Sequence, residues 1–375
     1  MPIHRRLSGL TSQGRGRRAL AAHRINRPKG EKMKQRFRGV VASTLIGAAA
    51  LTAHAQSAAS VAVTVDNFAR AESDRYFDRV VKRGALGRFM HARTLMPVEA
   101  QTVVRGNRDT LYSSAVFDLD AGPVTVSMPD AGHRYMSMSV FNEDHYVAAV
   151  HYGAGRYVLS KENVGTRYAL VGVRTMVDPR SADDVRLAHA MQDAIAVSQP
   201  GGPGRFEIPA WNMASQDALR HALVTLGATV PDSRGMFGAP GKVDPVRHLV
   251  GSAIAWGGIP ERDAFYLIVN PARNDGKTGY RLDVPRVPVD GFWSISVYNA
   301  AGYFEPNAQQ AYTINNLTAK AGPDGAVSIR FGNCAPDTPN CLPTMPGWNY
   351  MVRFYLPHAE ILDGRWKFPQ AQAAS

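Results

Sequence analysis

Ser137-Met138-Ser139-Val140-Phe141-Asn142 is the stretch that decides the fold, because its period is two. Met138 and Val140 point to one side of an extended chain, and Ser137 and Ser139 point to the other, as a half-buried strand requires. The pattern returns as Ser294-Ile295-Ser296-Val297-Tyr298-Asn299, and a Pro-x-x-Gly stretch precedes each copy, Pro129–Gly132 and Pro288–Gly291. Duplication of a β unit would produce this echo. So would chance, since Ser and Val suit strands in any case.

Working outward, short runs punctuated by Gly, Pro, Asp and Asn surround both copies. Ser113–Leu119, Val124–Met128, Arg134–Phe141, His145–His151, Arg156–Ser160 and Arg167–Arg174 form one series. Ala264–Asn270, Gly279–Val284, Phe292–Asn299, Ala311–Asn315, Ala326–Phe331 and Tyr350–Leu356 form the other. Strands at this spacing predict antiparallel sandwiches or barrels. Between them the period becomes helical. Ser181 with Asp184 resembles a capping box before Val185, Ala188, Met191 and Ile195; Ser215 is expected to cap a run closed by Gly227; and Asp244-Pro245 opens a third helix that stops at Gly257-Gly258. Ahead of the first series, Asp66 is expected to cap a helix carrying Phe68, Tyr76, Phe77 and Val80. The fold class is therefore mainly β: two antiparallel, jelly-roll-like β-sandwich domains, 66–178 and 261–369, with a helical connector at 179–260.

The formal net charge of +12 suggests a polyanion partner, yet 12 of the 43 Lys and Arg precede Gly39, where Glu31 is the only acid. The remainder carries 31 basic against 30 acidic residues, which removes any general reason to bind nucleic acid. Lys34, Arg36 and Arg38, the uncharged run Gly39–Leu51 and the small-x-small site Ala53-His54-Ala55 read as an export signal at 33–55. Met33 is then the expected start, residues 1–32 an extension before it, and Gln56 the first residue of a periplasmic or secreted product. No later stretch is long and apolar enough to insert in a membrane. In an oxidising compartment, Cys334 and Cys341 within a Pro-rich loop are expected to form a disulfide.

Three blocks in the first half, FMHARTL (Phe89–Leu95), VVRGNRDTLYSSAVFDL (Val103–Leu119) and the Gly122-to-Tyr135 turn region, resemble the bacterial proteins that pair domain of unknown function 1254 with domain of unknown function 1214. The second domain is suggested by GFWSISVYN (Gly291–Asn299), AYTINN (Ala311–Asn316) and YLPHAEILDGRWKFP (Tyr355–Pro369). The resemblance implies two antiparallel β-sandwiches and gives no settled activity. One departure is Asn340-Cys341-Leu342-Pro343, where the family often carries a tryptophan; if that aromatic lines a pocket in relatives, this pocket differs.

Neither a Gly-x-Ser-x-Gly elbow nor a His-Glu-x-x-His helix is present, and Gly241-Lys242 lacks the rest of a phosphate-binding loop. Arg105–Tyr112 is the densest polar block; within it Arg108, Asp109 and Tyr112 can hold a carboxylate or sugar, or merely build a turn. Glu143, Asp144, His145 and His151 are the best candidate for a metal, though ordinary strand ends carry such groups too, and no metal or other cofactor is assigned. Arg353 stands alone on an apolar strand, and Tyr298 shares a face with Ser294 and Ser296. The expected site is a shared groove between domains or twin mouths. Asp109 or His145 would move a proton there, with hydrolysis as an option, and Arg108, Tyr112, Tyr298 and Arg353 would hold a small polar molecule or glycan. The competing class is a non-catalytic envelope or interaction protein, so enzymatic activity stays open, and the sequence does not fix the oligomeric state.

Overall fold

The computed structural model describes residues 60–101 and 103–374; the export signal expected at 33–55 lies outside them. Helix α1 (Phe68–Lys82) comes first, then β1 (Met90–His91), β2 (Thr110–Asp118), β3 (Val124–Met128), β4 (Met136–Asn142), β5 (Val147–Tyr152) and β6 (Gly155–Leu159). A short α2 (Lys161–Val164) leads to β7 (Tyr168–Met176), α3 (Ala182–Asp193) and β8 (Ala196–Ser198). Two longer helices follow, α4 (Met213–Gly227) and α5 (Pro245–Ile254). The second β region holds β9 (Ala264–Val269), β10 (Tyr280–Val284), β11 (Trp293–Tyr298), β12 (Thr313–Asn315), β13 (Val327–Phe331), β14 (Cys341–Leu342) and β15 (Asn349–Tyr355), ending with α6 (Ala359–Leu362) and β16 (Gln372–Ala373).

The strands form four sheets, ordered β1-β2-β7-β4-β5, β6-β3-β8, β12-β11-β15-β9 and β14-β13-β10-β16. All named pairings are antiparallel except β13 with β14. Alternation dictates the packing. Ala115, Phe117, Met138, Val140, Val171 and Val173 from the first sheet meet Val124, Val126 and Met128 of the second in one core. Trp293, Ile295, Val297, Tyr350, Val352 and Phe354 from the third meet Leu282, Val284, Ile329 and Phe331 of the fourth in another. The first sandwich is thus five strands on three, unlike the four-on-four of a regular jelly roll.

The first and third sheets each have a second face that is also buried. A third core joins Val116, Phe141 and Leu170 of the first sheet to Tyr266, Met351 and Tyr355 of the third, with Phe68 and Phe77 of α1 and Val250 and Ile254 of α5. This explains why every residue of β4, β7, β11 and β15 is buried: each is covered on both faces.

Helix starts differ from expectation in two places. Asn67, not Asp66, precedes α1. Asn212 caps α4 by accepting from Ser215 N at 3.0 Å, which leaves Ser215 inside the first turn. Asp244 caps α5 with Pro245 in its first turn, as the sequence implies; Ser181 caps α3 by accepting from Asp184 N, but the box is not completed, because the Asp184 carboxylate accepts from Asp178 N and Arg134 instead. β8 falls within the stretch expected to be connector, because residues 196–198 pair with β3 and complete the smaller sheet. It, β1, β14 and β16 are two or three residues long, too short for alternation to show. Cys334 and Cys341 are bonded. Closing an eight-residue loop stabilises by about 2.5 kcal/mol on the chain-entropy relation.

Candidate ligand-binding site

Between the facing sheets lies a cavity of about 470 Å³, within the size range of small-molecule sites. Tyr112, Leu170, Gly172 and Arg174 line it from the first sandwich, and Tyr266, Met351, Arg353 and Tyr355 from the second. Trp256, after α5, with Met96, Pro97, Ala100 and residues 103–107, completes the wall, and Arg79 and Arg83 join it at the C-terminal end of α1. Among the described residues, the lining contains Arg and Tyr but no Asp, Glu, His or Cys.

The two walls match residue by residue in strand register. Ser137 pairs with Arg174 across β4 and β7, and Ser294 pairs with Arg353 across β11 and β15. Tyr112 pairs with Arg174 across β2 and β7, and Tyr266 pairs with Arg353 across β9 and β15. The hydrogen bonds repeat as well. Arg174 Nη1 donates to Ser139 Oγ at 2.9 Å, and Arg353 Nη1 donates to Ser296 Oγ at 2.9 Å. Beyond the echoed hexapeptide, Asn142 Oδ1 accepts from Asp144 N and Tyr146 N, as Asn299 Oδ1 accepts from Ala301 N and Tyr303 N. His145 and Gly302 occupy the same place in these turns, both at positive φ. Agreement at pairing, side-chain and turn level favours duplication over chance.

Each arginine is anchored by the other sandwich's approach segment. Arg174 Nη2 donates to Gly257 O at 2.7 Å, in the segment leading to β9. Arg353 Nη2 donates to Arg105 O at 2.7 Å, in the segment leading to β2, and to Tyr298 Oη at 2.6 Å. Tyr298 in turn donates to Gly106 O at 2.7 Å. Asn107 ties the halves together: its Nδ2 donates to Tyr112 Oη at 3.1 Å and Tyr355 Oη at 3.3 Å, one phenol from each sandwich.

The expected site residues divide. Tyr112 and Arg353 line the cavity. Tyr298 is fully buried behind Arg353 and positions it. Arg108 donates to Met96 O and lies over the Tyr312 ring, 5.1 Å from its centroid, outside the lining. Asp109 is buried at the edge of the second sandwich, where Oδ1 accepts from Thr313 Oγ1 and Asn315 Nδ2, both at 3.0 Å. His145 is buried beneath α5, its Nδ1 bonded to Ser252 Oγ at 2.8 Å and its Nε2 accepting from Gly257 N at 2.9 Å. Ser252 Oγ donates to His248 O, so the proton of the neutral ring sits on Nδ1. The proton-transfer pair expected from sequence therefore does not assemble. Asp109 and His145 serve different anchors, and neither reaches the cavity wall. His145 instead fixes the Gly257 turn that holds Arg174.

Nor do the other polar residues near His145 converge. Glu143 accepts from Tyr168 N, Asp144 pairs with Arg70, and His151 stacks on Tyr157 at 4.0 Å. Among the described residues no group of three or more His, Cys, Asp or Glu is placed to hold a metal. Cys341 lies in β14 of the fourth sheet, none of whose strand residues lines the cavity, so the departure from the family's tryptophan leaves the lining untouched.

Electrostatics set the character of the site. Burial opposes charge on Arg174 and Arg353, but the attraction to neighbouring phenols once these ionise in strong alkali, with Asp109 adding to it for Arg353, outweighs burial, and both pKa values lie above the ordinary arginine value. Both guanidiniums are thus permanently charged, and neither forms an ion pair among the described residues. Asp109 acts on Arg353 only at longer range. Arg174 Nε and Arg105 Nε are buried without a partner. Burial raises Tyr355 well above the usual phenol range and Tyr135 to about 12, so these groups are neutral donors.

Arg174, Tyr266 and Tyr355 carry no assignment in the sequence, and Arg105 and Asn107 enter it only as members of the polar block Arg105–Tyr112. Arg174 carried the signal that drew attention to Arg353, a lone charge in an apolar strand: Tyr168–Met176 reads YALVGVRTM. The tyrosines carried none, because an aromatic on a strand looks the same in a core as in a cavity wall.

Residues 86–199 match the family described as "Protein of unknown function (DUF1254)", and 270–359 match "Protein of unknown function (DUF1214)". No curated protein matches the chain. Among solved structures, the VPA0106 protein from Vibrio parahaemolyticus is similar at a TM-score of 0.61 and 17% identity, over 83% of this chain and 98% of that one. An uncharacterised protein from Burkholderia cenocepacia is similar at a TM-score of 0.48 and 13% identity, over 82% and 88% respectively. At 17% identity the Vibrio protein shares the fold.

Proposed function

The chain belongs to the proteins in which a DUF1254 region precedes a DUF1214 region, and from that premise we propose that it is an exported binding protein for a small organic anion, held in the cavity between its sandwiches. The observation that carries this reading is the pair of buried, permanently charged arginines facing one cavity without an ion-pair partner. A lone buried charge costs several kcal/mol, and a bound carboxylate or phosphate would neutralise it while filling the planar donor fork. A neutral glycan would leave that charge uncompensated. Leu170, Phe141, Trp256 and Met351 supply an apolar wall, so the favoured anion has a hydrocarbon or aromatic body. With no carboxylate, imidazole or thiol among the described lining residues, the chemistry present is recognition rather than acid–base turnover.

The test is a thermal-shift and calorimetric screen of the mature protein with carboxylates, phosphomonoesters and neutral sugars. An anion at about 100 times its Kd should stabilise the protein by about 2.7 kcal/mol. Arg174→Met and Arg353→Met should each weaken it by at least about ten-fold. Stabilisation by neutral sugars alone, undiminished in both variants, would refute the reading.

A further inference from the structure

We propose that the cavity takes one molecule bearing two anionic groups, a dicarboxylate in the simplest case, with one group held by each sandwich. The inference rests on the reading that the cavity holds an organic anion, and it follows from how the two walls are built. Arg174 with Tyr112, and Arg353 with Tyr266, are register equivalents that line the same cavity from opposite sides. Each guanidinium is fixed in the same way, one arm on a serine of its own sheet and the other on a backbone carbonyl of the segment leading into the opposite sandwich. Neither donor fork is used up. Of the five N–H groups an arginine carries, Arg174 commits two to protein partners, and its Nε has none. On Arg353 the protein bonds fall on Nη1 and Nη2, and Nη1 makes only the bond to Ser296.

Charge balance decides between one anionic group and two. A monoanion would neutralise one guanidinium and leave the other buried and uncompensated, with the penalty that implies. Asp109 makes no hydrogen bond to Arg353: its Oδ1 is occupied by Thr313 and Asn315, its Oδ2 has no partner, and its charge reaches the guanidinium only at longer range. A dianion satisfies both forks at once, and its second group binds intramolecularly, at a high effective concentration. The apolar residues of the lining, Leu170 and Met351 among them, suit an uncharged spacer.

Calorimetric titration of the mature wild-type protein can test this without a variant. The probes are straight-chain dicarboxylates from butanedioate to decanedioate and the three benzenedicarboxylates, each compared with its own monomethyl ester. The ester keeps the size and removes one charge. At least one dicarboxylate should bind about ten-fold or more tightly than its half-ester. In Arg174→Met and Arg353→Met, checked for folding by thermal denaturation, that advantage should disappear. If dicarboxylates and half-esters bind alike while depending on either arginine, the two-clamp inference is overturned and the anion site survives. If every carboxylate probe and phosphomonoester fails to bind, both readings fall together.

Discussion

Replacing Asp74 with asparagine should stabilise the protein at alkaline pH and change little in acid. Asp74 is buried in α1, where Oδ2 accepts from Trp211 Nε1 at 2.8 Å and Oδ1 has no partner. Arg70, one turn before it on α1, is committed to Asp144 through bonds of 2.8 and 2.7 Å. Burial, with smaller contributions from the Glu143 and Asp144 charges, lifts the Asp74 pKa from 3.8 to about 7. The folded-state pKa is raised, so the benefit of the protonated acid is fully present below the unfolded value and is lost as pH rises through about 7. At about 1.4 kcal/mol per unit, the upper bound on the loss is about 4 kcal/mol, and relaxation around the site brings the expectation to about 2–4 kcal/mol. Asparagine keeps an acceptor for Trp211 and carries no charge. Urea denaturation of both proteins at about pH 4.5 and about pH 8 measures the difference. The advantage of Asp74→Asn should grow by about 2–3 kcal/mol between them, because about 1 kcal/mol of the loss has already occurred by about pH 4.5. An equal difference at both pH values would show that Asp74 ionises freely in the fold, and the account of its isolation would be wrong.

Two other outcomes are expected. Burial first, and His248 second, hold the His145 pKa well below its ordinary value, so its contribution is present above about pH 6.5 and is lost as pH falls below it. In His145→Asn, stability should therefore fall less steeply from about pH 6.5 to pH 5, by up to about 1.4 kcal/mol per unit, whatever the baseline loss from the missing bonds; parallel slopes would contradict a neutral His145. Export predicts that the intact mass of protein recovered from the periplasm or medium corresponds to a chain starting at Gln56, and soluble material retaining residues 1–55 would contradict it.

Much of the fold is local and was legible. Alternation at Ser137–Asn142 and Ser294–Asn299 marks two strands whose apolar residues enter separate cores, Met138 and Val140 in one and Ile295 and Val297 in the other. Caps at Ser181 and Asp244 act within a turn of their own position, so residue type alone announces them. The Cys334–Cys341 pair is close in sequence, and its loop closes without help from distant chain. An arginine inside an apolar strand also announces itself, at Arg174 as at Arg353.

Tertiary structure decided what those arginines face. Periodicity states that Ser139 and Arg174 lie on some face, but register and packing join them, and the carbonyls that complete the anchors come from 83 residues away for Arg174 and 248 for Arg353. His145 and Asp109 had the chemistry of a catalytic pair in sequence. The fold buries each against partners more than 100 residues away, Ser252 and Gly257 for one and Thr313 and Asn315 for the other. A side chain's type fixes which bonds it can make. Which of them it makes depends on segments brought together only after both sandwiches have formed, because a cavity between two sheet faces has no local signature in either strand.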